Sequence, residues 1–563
     1  MKNNQNLSQE KLLAEIARLR KELKKRKKYG LVWEEKPEEV VEMCKEKLPV
    51  LKEVKNKEII TDKDEPVNLL IEGDNYHALS VLNYTHAKKV DVIYIDPPYN
   101  TGARDWKYNN AYVDINDAWR HSKWLSFMKN RLKLAKNLLK NSGVLICTID
   151  ENEHAALGLL LQELFPNKEI VCVTIVHNPG GIQGKNFSYC HEYAYFVHPI
   201  GGTYITKIRR EDIAPIPLRD WGKETSKRES AKNCFYPIYI KDEQIIGFGE
   251  VSADSFHPKS SNILRKDGIV EIYPVDKNGV ERKWRFSRQS VEAIKDELVC
   301  QKIKGELAVL RQKKDYRWKT VWTDGRYNAN VFGTKLVNNI IKAKFPFPKS
   351  LYAVMDCIRA VIHDRNDAII LDFFAGSGTT GHAVLQLNKE DGGQRRFILC
   401  TNNEDNNGDG VRIAADMCYP RITSVIKGYT GLLDNKRYDG LGGNLKYFKT
   451  DFVDAEPTDR NKIKLTEQAT EMLCVKEGTF EKVLDQKNFK VFKNSDHYTG
   501  IIFDQIAIPA FKKAIKEIKG KFSVYVFSLG DETFDDEFKD VRQKVQLSPI
   551  PEAILRVYRR IFK

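Results

Sequence analysis

The chain has 563 residues, enough for several domains, and carries 92 Lys and Arg against 77 Asp and Glu, a net charge of +15. That surplus suits a polyanionic partner such as nucleic acid, with solvated surface lysine as the plainer reading. No stretch reads as a signal peptide, no apolar run approaches 18 residues, and ten scattered cysteines form no Cys-x-x-Cys pair, which argues against export, a membrane span, a zinc or other metal site and a disulfide framework, and suits a reducing cytoplasm.

In chain order, residues 1–30 are polar and helix-prone, with Leu12, Ile16, Leu19 and Leu23 at 4-3-4 spacing before the basic run Lys24 to Lys28. A docking or dimer helix and a solvated amphipathic helix both fit this pattern. A second helical stretch is expected from Pro37 to Leu51. Asn68 to Asn75 reads as a short strand and turn, followed by a helix from Tyr76 to Thr85 with Asp74 at its N-cap. Next comes Val90-Asp91-Val92-Ile93-Tyr94-Ile95, which stops at Asp96-Pro97-Pro98-Tyr99-Asn100. A β-branched run closed by two prolines reads as a buried parallel strand, and in open α/β sheets the ligand crevice lies beyond the carboxyl ends of the strands.

The chemistry of that strand end follows from its residues. Asp96 offers an acceptor, the prolines fix φ and leave the Pro97 carbonyl available, and Tyr99 offers a flat π-face. Together they make a socket for a planar molecule bearing an NH2 group. An exocyclic amine on a nucleobase is a poor nucleophile because its lone pair is conjugated into the ring. Accepting its hydrogens on Asp96 and Pro97 favours the pyramidal, nucleophilic form. Stacking on Tyr99 is worth about 1–3 kcal/mol, comparable with the few kcal/mol needed to extrude a base from a duplex. A capped, strand-ending turn is the plainer alternative.

Beyond it, a helix is expected from Trp119 to Lys140, a buried strand from Gly143 to Asp150, a helix over 152–165 and strands over 170–177 and 192–199. The last two flank the glycine-rich stretch Asn178 to Tyr189, whose Phe187 and Tyr189 fit either a second wall of a base pocket or a mobile connection. Residues 200–340 are rich in basic and aromatic side chains, among them Arg209-Arg210, Lys227-Arg228 and Arg282-Lys283-Trp284-Arg285. Arg and Lys reach phosphates and guanine edges, so Arg282 and Arg285 are candidate DNA contacts, against the plainer reading of a small mixed domain. Lys344 to Ile362 then leads to Asp367–Val384, a strand, a turn with Gly376, Gly378 and Gly381, and the start of a helix. Such glycines let backbone approach a ligand beside a helix N-terminus. The G-x-G-x-x-G match alone is weak, and the available ribose-binding carboxylate, Glu404, comes later than a nicotinamide site requires. A helix over 411–427 contains Arg421. In 451–563 a helix (Phe503 to Ile518), a strand (Phe522 to Phe527) and a terminal basic helix (Pro551 to Phe562) carry no legible chemistry; contact with a partner chain or DNA is expected there.

With Asp96-Pro97-Pro98-Tyr99 placed before Phe374-x-Gly376-x-Gly378, the sequence resembles the amino-methylating DNA methyltransferases of the β arrangement, which use S-adenosylmethionine. Gly73-Asp74-Asn75, Asp96 to Gly102, Trp124 to Met128 and Phe347 to Leu351 resemble the methylation subunit of type III restriction-modification systems, over about 67–450. The resemblance implies an α/β fold: a Rossmann-like S-adenosylmethionine-dependent core, permuted so that the catalytic half comes first, with an inserted target-recognition domain and a small C-terminal αβ region. The boundaries drawn are 1–66 (helical segment), 67–200 (catalytic half), 201–340 (insert), 341–450 (cofactor half) and 451–563. It places Asp74, Asp372, Phe374, Gly376, Gly378, Thr379 and Lys349 around the cofactor with Glu404 on its ribose. Asp96, Pro97, Pro98 and Tyr99 are catalytic, with Asn100, Phe187 and Tyr189 near the base. The expected reaction is N6-methylation of adenine in double-stranded DNA by base flipping. Asp before Pro-Pro-Tyr leans away from cytosine N4, and no Pro-Cys dipeptide exists for carbon-5 chemistry. An RNA or cytosine N4 methyltransferase and a catalytically silent specificity subunit are the alternatives. A restriction subunit and a second copy of the chain are the expected protein partners, in the cytoplasm and away from membranes.

Overall fold

Three apolar runs, Leu69–Ile71, Val92–Ile95 and Ile369–Leu371, are buried along their whole length, as strands covered on both faces must be. The computed structural model describes residues 16, 18, 33, 35, 37–63, 65–101, 120–183, 186–210, 213–222, 224–342, 345, 347–362, 365–403, 410–495, 497–530, 532 and 534–562. The chain forms two compact units, Met1–Thr206 with Lys319–Lys563, and Lys207–Trp318.

In the first unit ten strands make one sheet: β1 (Lys47–Glu53), β2 (Val67–Glu72), β3 (Val90–Ile95), β4 (Leu139–Ile149), β5 (Lys168–Val176), β6 (His191–Pro199), β7 (Val321–Trp322), β8 (Ile369–Asp372), β9 (Arg396–Thr401) and β10 (Asn444–Asp454). Their spatial order is β1-β10-β2-β9-β8-β3-β4-β6-β5-β7. From β10 through β4 neighbouring strands run parallel, whereas β6 lies antiparallel to both β4 and β5. The chain leaves β3 toward β4 on one side, and leaves β8 toward β9 on the other. Two adjacent strands whose connections depart in opposite directions open a crevice beyond their carboxyl ends, the switch point of a doubly wound sheet. Asp96-Pro97-Pro98-Tyr99 follows β3 and the glycine turn follows β8, so both stretches reach that crevice. β3 thus precedes β8 in sequence yet stands beside it in space.

Several elements differ from expectation. Helix Glu39–Glu46 gives way to β1 rather than continuing to Leu51, because Leu48, Val50 and Leu51 are buried and Pro49 suits an edge strand, here paired only with β10. The second unit begins at 207 and ends at 318, inside the expected 201–340, because β7 pairs with β5 of the large sheet. β10 crosses the expected boundary at 450, and β1 brings the expected N-terminal segment into the sheet. The expected helix Phe503 to Ile518 is shorter, Ile508–Ile515 after a 3-10 turn. The helix expected in residues 1–30, apart from positions 16 and 18, and Glu404 lie outside the described residues.

The insert unit packs Leu218, Tyr236, Ile238, Trp284 and Val291 into a core of its own beneath a four-stranded and a three-stranded antiparallel sheet. In the C-terminal region a five-stranded sheet runs in chain order from Glu481–Asp485 to Val545–Ile550. The helix Glu552–Ile561 that follows buries Ile554, Leu555 and Tyr558 in the same core as Leu48 and Leu79. Among the described residues no helix is long and apolar enough to cross a membrane.

Tyr558 ties the end of the chain to its beginning: its buried hydroxyl donates to the Pro49 carbonyl on β1. Tyr558→Phe leaves that carbonyl unpaired in an apolar setting, an expected cost of about 1–3 kcal/mol. Hydrogen exchange should show faster opening of Glu552–Ile561, with Asp96 and its surroundings unaffected. Unchanged protection of the helix would show that the bond contributes nothing.

Candidate active site

Asp96 is the first residue beyond β3, and three donors converge on one of its oxygens. The Thr148 hydroxyl lies 2.7 Å and the Tyr99 hydroxyl 2.8 Å from Oδ1, and the Lys349 ammonium stands 3.3 Å from the same atom. No hydrogen bond to Oδ2 is made among the described residues, and the side chain remains 26% exposed toward the cleft. The carboxylate is thereby anchored by one edge and open at the other. Thr148 reaches it because Cys147 on β4 is in register with Ile95 on β3. The turn itself is fixed from outside by Trp124, fully buried on helix Arg120–Leu138, whose indole N–H donates to the Pro98 carbonyl at 2.7 Å. Pro97 lines the cleft, and its carbonyl has no donor among the described residues.

Lys349 bridges a second carboxylate. Its ammonium donates to Glu192 and to the Tyr99 hydroxyl, and lies 4.5 Å from the centre of the Tyr99 ring. Glu192 comes from the start of β6, which an antiparallel strand delivers to the same edge of the sheet where the parallel strands end. Burial pushes the Asp96 carboxyl up; Lys349 opposes the shift and Glu192 adds to it. Burial alone would depress Lys349, but Asp96 and Glu192 outweigh it and hold the ammonium firmly protonated.

On the other side of the crevice β8 ends in Asp372, whose Oδ1 accepts the Phe374 amide at 2.9 Å and whose Oδ2 accepts the Thr380 hydroxyl at 2.6 Å. These bonds fold the turn back on itself. Gly376 and Gly378 take positive φ of 49° and 81°, and a Cβ on Gly376 would come within 3.1 Å of the Phe345 ring. From beneath, the buried Arg421 guanidinium donates to Ser377 Oγ at 2.9 Å and Thr379 Oγ1 at 2.8 Å. Burial, opposed by the Thr380 and Phe374 bonds and aided by the charge on Asp96, raises the Asp372 carboxyl to about 7.

The two sides enclose a cleft of about 710 Å³, within the range of small-molecule sites. Of the expected residues, Asp96, Pro97, Pro98, Tyr99, Tyr189, Lys349, Asp372, Phe374, Gly376 and Thr379 line it. Gly378 lies just behind the wall, where its N–H donates to Ala375 O at 2.7 Å. Asp74 is elsewhere: its carboxylate caps helix Asn75–Thr85 through the Tyr76 amide at 2.7 Å and faces Arg131 at 3.4 Å. Asn100 is buried and its amide donates to Glu153, away from the cleft. Phe187 is 79% exposed and does not line the cleft. Within the insert unit Arg282 is engaged by Asp276 at 2.8 Å and Ser226 at 2.9 Å, so it braces its own unit, whereas Arg285 is exposed. Lys349, expected against a cofactor, lines the cleft from among the side chains of the Asp96–Tyr99 turn. Thr148 and Glu192 were missed. Their one sequence signal is a polar residue at the end of an otherwise buried strand.

Lining residues give the cleft its character: five carboxylates, Asp96, Asp150, Glu151, Glu192 and Asp372, face one lysine, among the rings of Tyr94, Tyr99, Tyr189, Phe345, Phe347 and Phe374. An acidic, aromatic-walled cleft fits flat rings together with a positively charged group.

Comparison with known proteins gives a consistent picture. Residues 90–407 match the family described as DNA methylase. The chain is similar to the EcoPI Mod subunit of a type III restriction-modification enzyme from Escherichia phage P1, 31% identical over 425 residues, covering 65% of this chain and 63% of that one. It is 30% identical over 350 residues to the type II methyltransferase M.KpnI of Klebsiella pneumoniae, covering 59% of this chain and 79% of that protein. The StyLTI Mod subunit of Salmonella typhimurium is 31% identical over 405 residues, 64% of this chain and 57% of the relative. The matched stretch therefore spans less than two thirds of either Mod subunit.

The raised Asp372 carboxyl has a consequence for stability. The folded chain holds this proton more tightly than the unfolded chain, so its contribution is fully present below about pH 4 and is lost as pH rises through about 7. The melting temperature should therefore fall more steeply between pH 5 and pH 8 in the wild type than in Asp372→Asn, by a few degrees. Equal slopes in the two proteins would exclude this coupling.

Proposed function

The chain belongs to the DNA methylase family, and from that premise we propose that it transfers a methyl group from S-adenosylmethionine to the N6 amine of an adenine flipped out of double-stranded DNA. The observation that carries the reading is the Asp96 carboxylate, held by three donors on Oδ1 and without one on Oδ2, next in the chain to Pro97, whose carbonyl has no donor among the described residues. Two acceptors on consecutive residues match the two hydrogens of an exocyclic amine. Receiving them draws the amine out of conjugation and aims its lone pair across the cleft. Bound S-adenosylmethionine supplies an electrophilic methyl on a sulfonium; Asp372, Phe374, Gly376 and Thr379 would hold it, with the acidic lining matching its charge. Asp96 Oδ2 is placed to keep a proton of the amine as positive charge develops there. Little basic strength is required of Asp96, and positioning supplies most of the rate.

The remaining assignments rest on family likeness. Tyr99 is assigned to stack on the base, Tyr189 to the far wall and Glu404 to the ribose. The insert unit, with 24 Lys and Arg against 18 Asp and Glu, is assigned to sequence readout, with Arg285 as a candidate contact. Relatives named as Mod subunits of type III restriction-modification enzymes support a place beside a restriction subunit; a cytoplasmic location and a paired arrangement of this chain are parts of the same proposal.

Incubation of wild-type protein with labelled S-adenosylmethionine and unmethylated duplex DNA should yield N6-methyladenine on nucleoside analysis, reduced about a hundredfold or more in Asp96→Ala. N4-methylcytosine as the product would overturn the choice of base. Label on RNA alone would overturn the choice of polymer, and full activity in Asp96→Ala the catalytic assignment.

A further inference from the structure

We propose that Glu192 is a positioning residue of this site: it anchors the Lys349 ammonium, so that Lys349 and Tyr99 fix the Oδ1 edge of Asp96 and leave Oδ2 facing the cleft. The inference rests on the reading of Asp96 as the residue that receives the target amine.

The geometry supports a relay of contacts rather than a separate site. Glu192 is 5% exposed and touches Asp96 only through other groups. Its Oε2 accepts from Lys349 and stands 3.3 Å from the Tyr99 hydroxyl, whose proton is given to Asp96. Lys349 therefore stands between the buried Glu192 and the partly exposed Asp96, donating to Glu192 and to the Tyr99 oxygen while remaining 3.3 Å from Asp96. A lysine on a four-carbon stem has many rotamers and no fixed fork, so a single carboxylate does not hold it in one place. With Glu192 on its far side, the ammonium is pulled away from Asp96 Oδ2 and kept off the open edge. Without Glu192, Lys349 is free to close on both Asp96 oxygens, which fills the position the amine needs.

Charge follows the same logic. The groups facing Asp96 are Lys349 and Glu192, Tyr94 and Tyr99 from its own strand and turn, Cys147 from β4 and Asp372 from β8. Facing Glu192 from other elements are His177 and Cys357. Of these neighbours, Lys349 favours the ionised form of Asp96 and Glu192 disfavours it. Removing one or the other must therefore move the titration of Asp96 in opposite directions. A residue that merely fills space has no such signature.

The test is the pH profile of kcat for methyl transfer in wild type, Glu192→Gln and Lys349→Met, with melting curves to confirm folding. Glu192→Gln should lower kcat between about tenfold and a hundredfold while KM for DNA stays nearly unchanged. Its acid limb should move to lower pH by at least about half a unit, and that of Lys349→Met to higher pH. An acid limb unmoved in Glu192→Gln, or a loss confined to KM, overturns the proposal while leaving the assigned reaction standing. If wild type transfers no methyl at all, the assigned reaction fails. The positioning role is then decided by a crystal structure of Glu192→Gln, where Lys349 still parked beside Asp96 Oδ1 with Oδ2 open overturns it, and Lys349 closed over both oxygens supports it.

Discussion

The pairing of β8 with β3, Ile370 opposite Val92 and Leu371 opposite Ile93, is the constraint on which the site depends. Because the two strands run parallel in that register, both end at the same edge of the sheet, and Asp96 and Asp372 sense each other's charge. Parallel strands alternate their side chains between two covered faces. A slip of one residue would exchange the faces of every side chain on β8 and carry the Asp372 turn out of step with the end of β3. The fully buried side chains on either side of Asp372, Ile370, Leu371 and Phe373, make such a slip costly. The core thus sets the register, and the register sets the site.

What the core sets, the buried charges then refine at some expense. Asp96, Glu192 and Lys349 have given up most of their contact with water and repay the loss through one another and through the Thr148 and Tyr99 hydroxyls. Removing a single partner from such a group typically costs about 3–5 kcal/mol, whereas replacing the whole group by apolar residues is often neutral. Stability alone therefore gives no reason to retain three of them. Their arrangement, with donors gathered on one oxygen of Asp96, makes sense as orientation of a carboxylate. Trp124 supports the same end from outside, because its indole bond to Pro98 holds the turn without adding charge.

Much of this was legible in the sequence. The β3 run and its Asp-Pro-Pro-Tyr end, the glycine turn after β8 and the basic insert were visible because local chemistry dictates them: β-branched runs, prolines that end strands, glycines at positive φ. Asp74 and Asn100 show where such reading stops. Each sits at a recognisable motif, yet Asp74 is consumed by a helix cap and Arg131, and Asn100 by Glu153, partners 57 and 53 residues away. Glu192 shows the converse. It lies 96 residues from Asp96 and 157 from Lys349, and no local pattern marks it. Its position follows from the antiparallel sense of β6, which is a property of the sheet. Pro37 to Leu51 was misread for a similar reason, since β1 exists only because β10, nearly 400 residues later, supplies its hydrogen bonds.

Charge is distributed on two scales. The chain carries a net +15, while the cleft is lined by five carboxylates and one lysine. Fields from surface charges reach about 10 Å at moderate salt, so a polyanion approaching from solvent meets the positive surplus of the exterior. Inside the cleft, the carboxylates act over a few ångströms in a desolvated setting, where they repel phosphate and favour a cation. On the proposed reading these opposed preferences are compatible because the group that enters is a neutral base, whose phosphates stay outside. The same acidic lining that would exclude a nucleotide's phosphate would favour a sulfonium and, on that reading, stabilise the positive charge as it passes to the amine. On that reading one arrangement of charge sorts the duplex to the surface, and the base and the cofactor to the cleft.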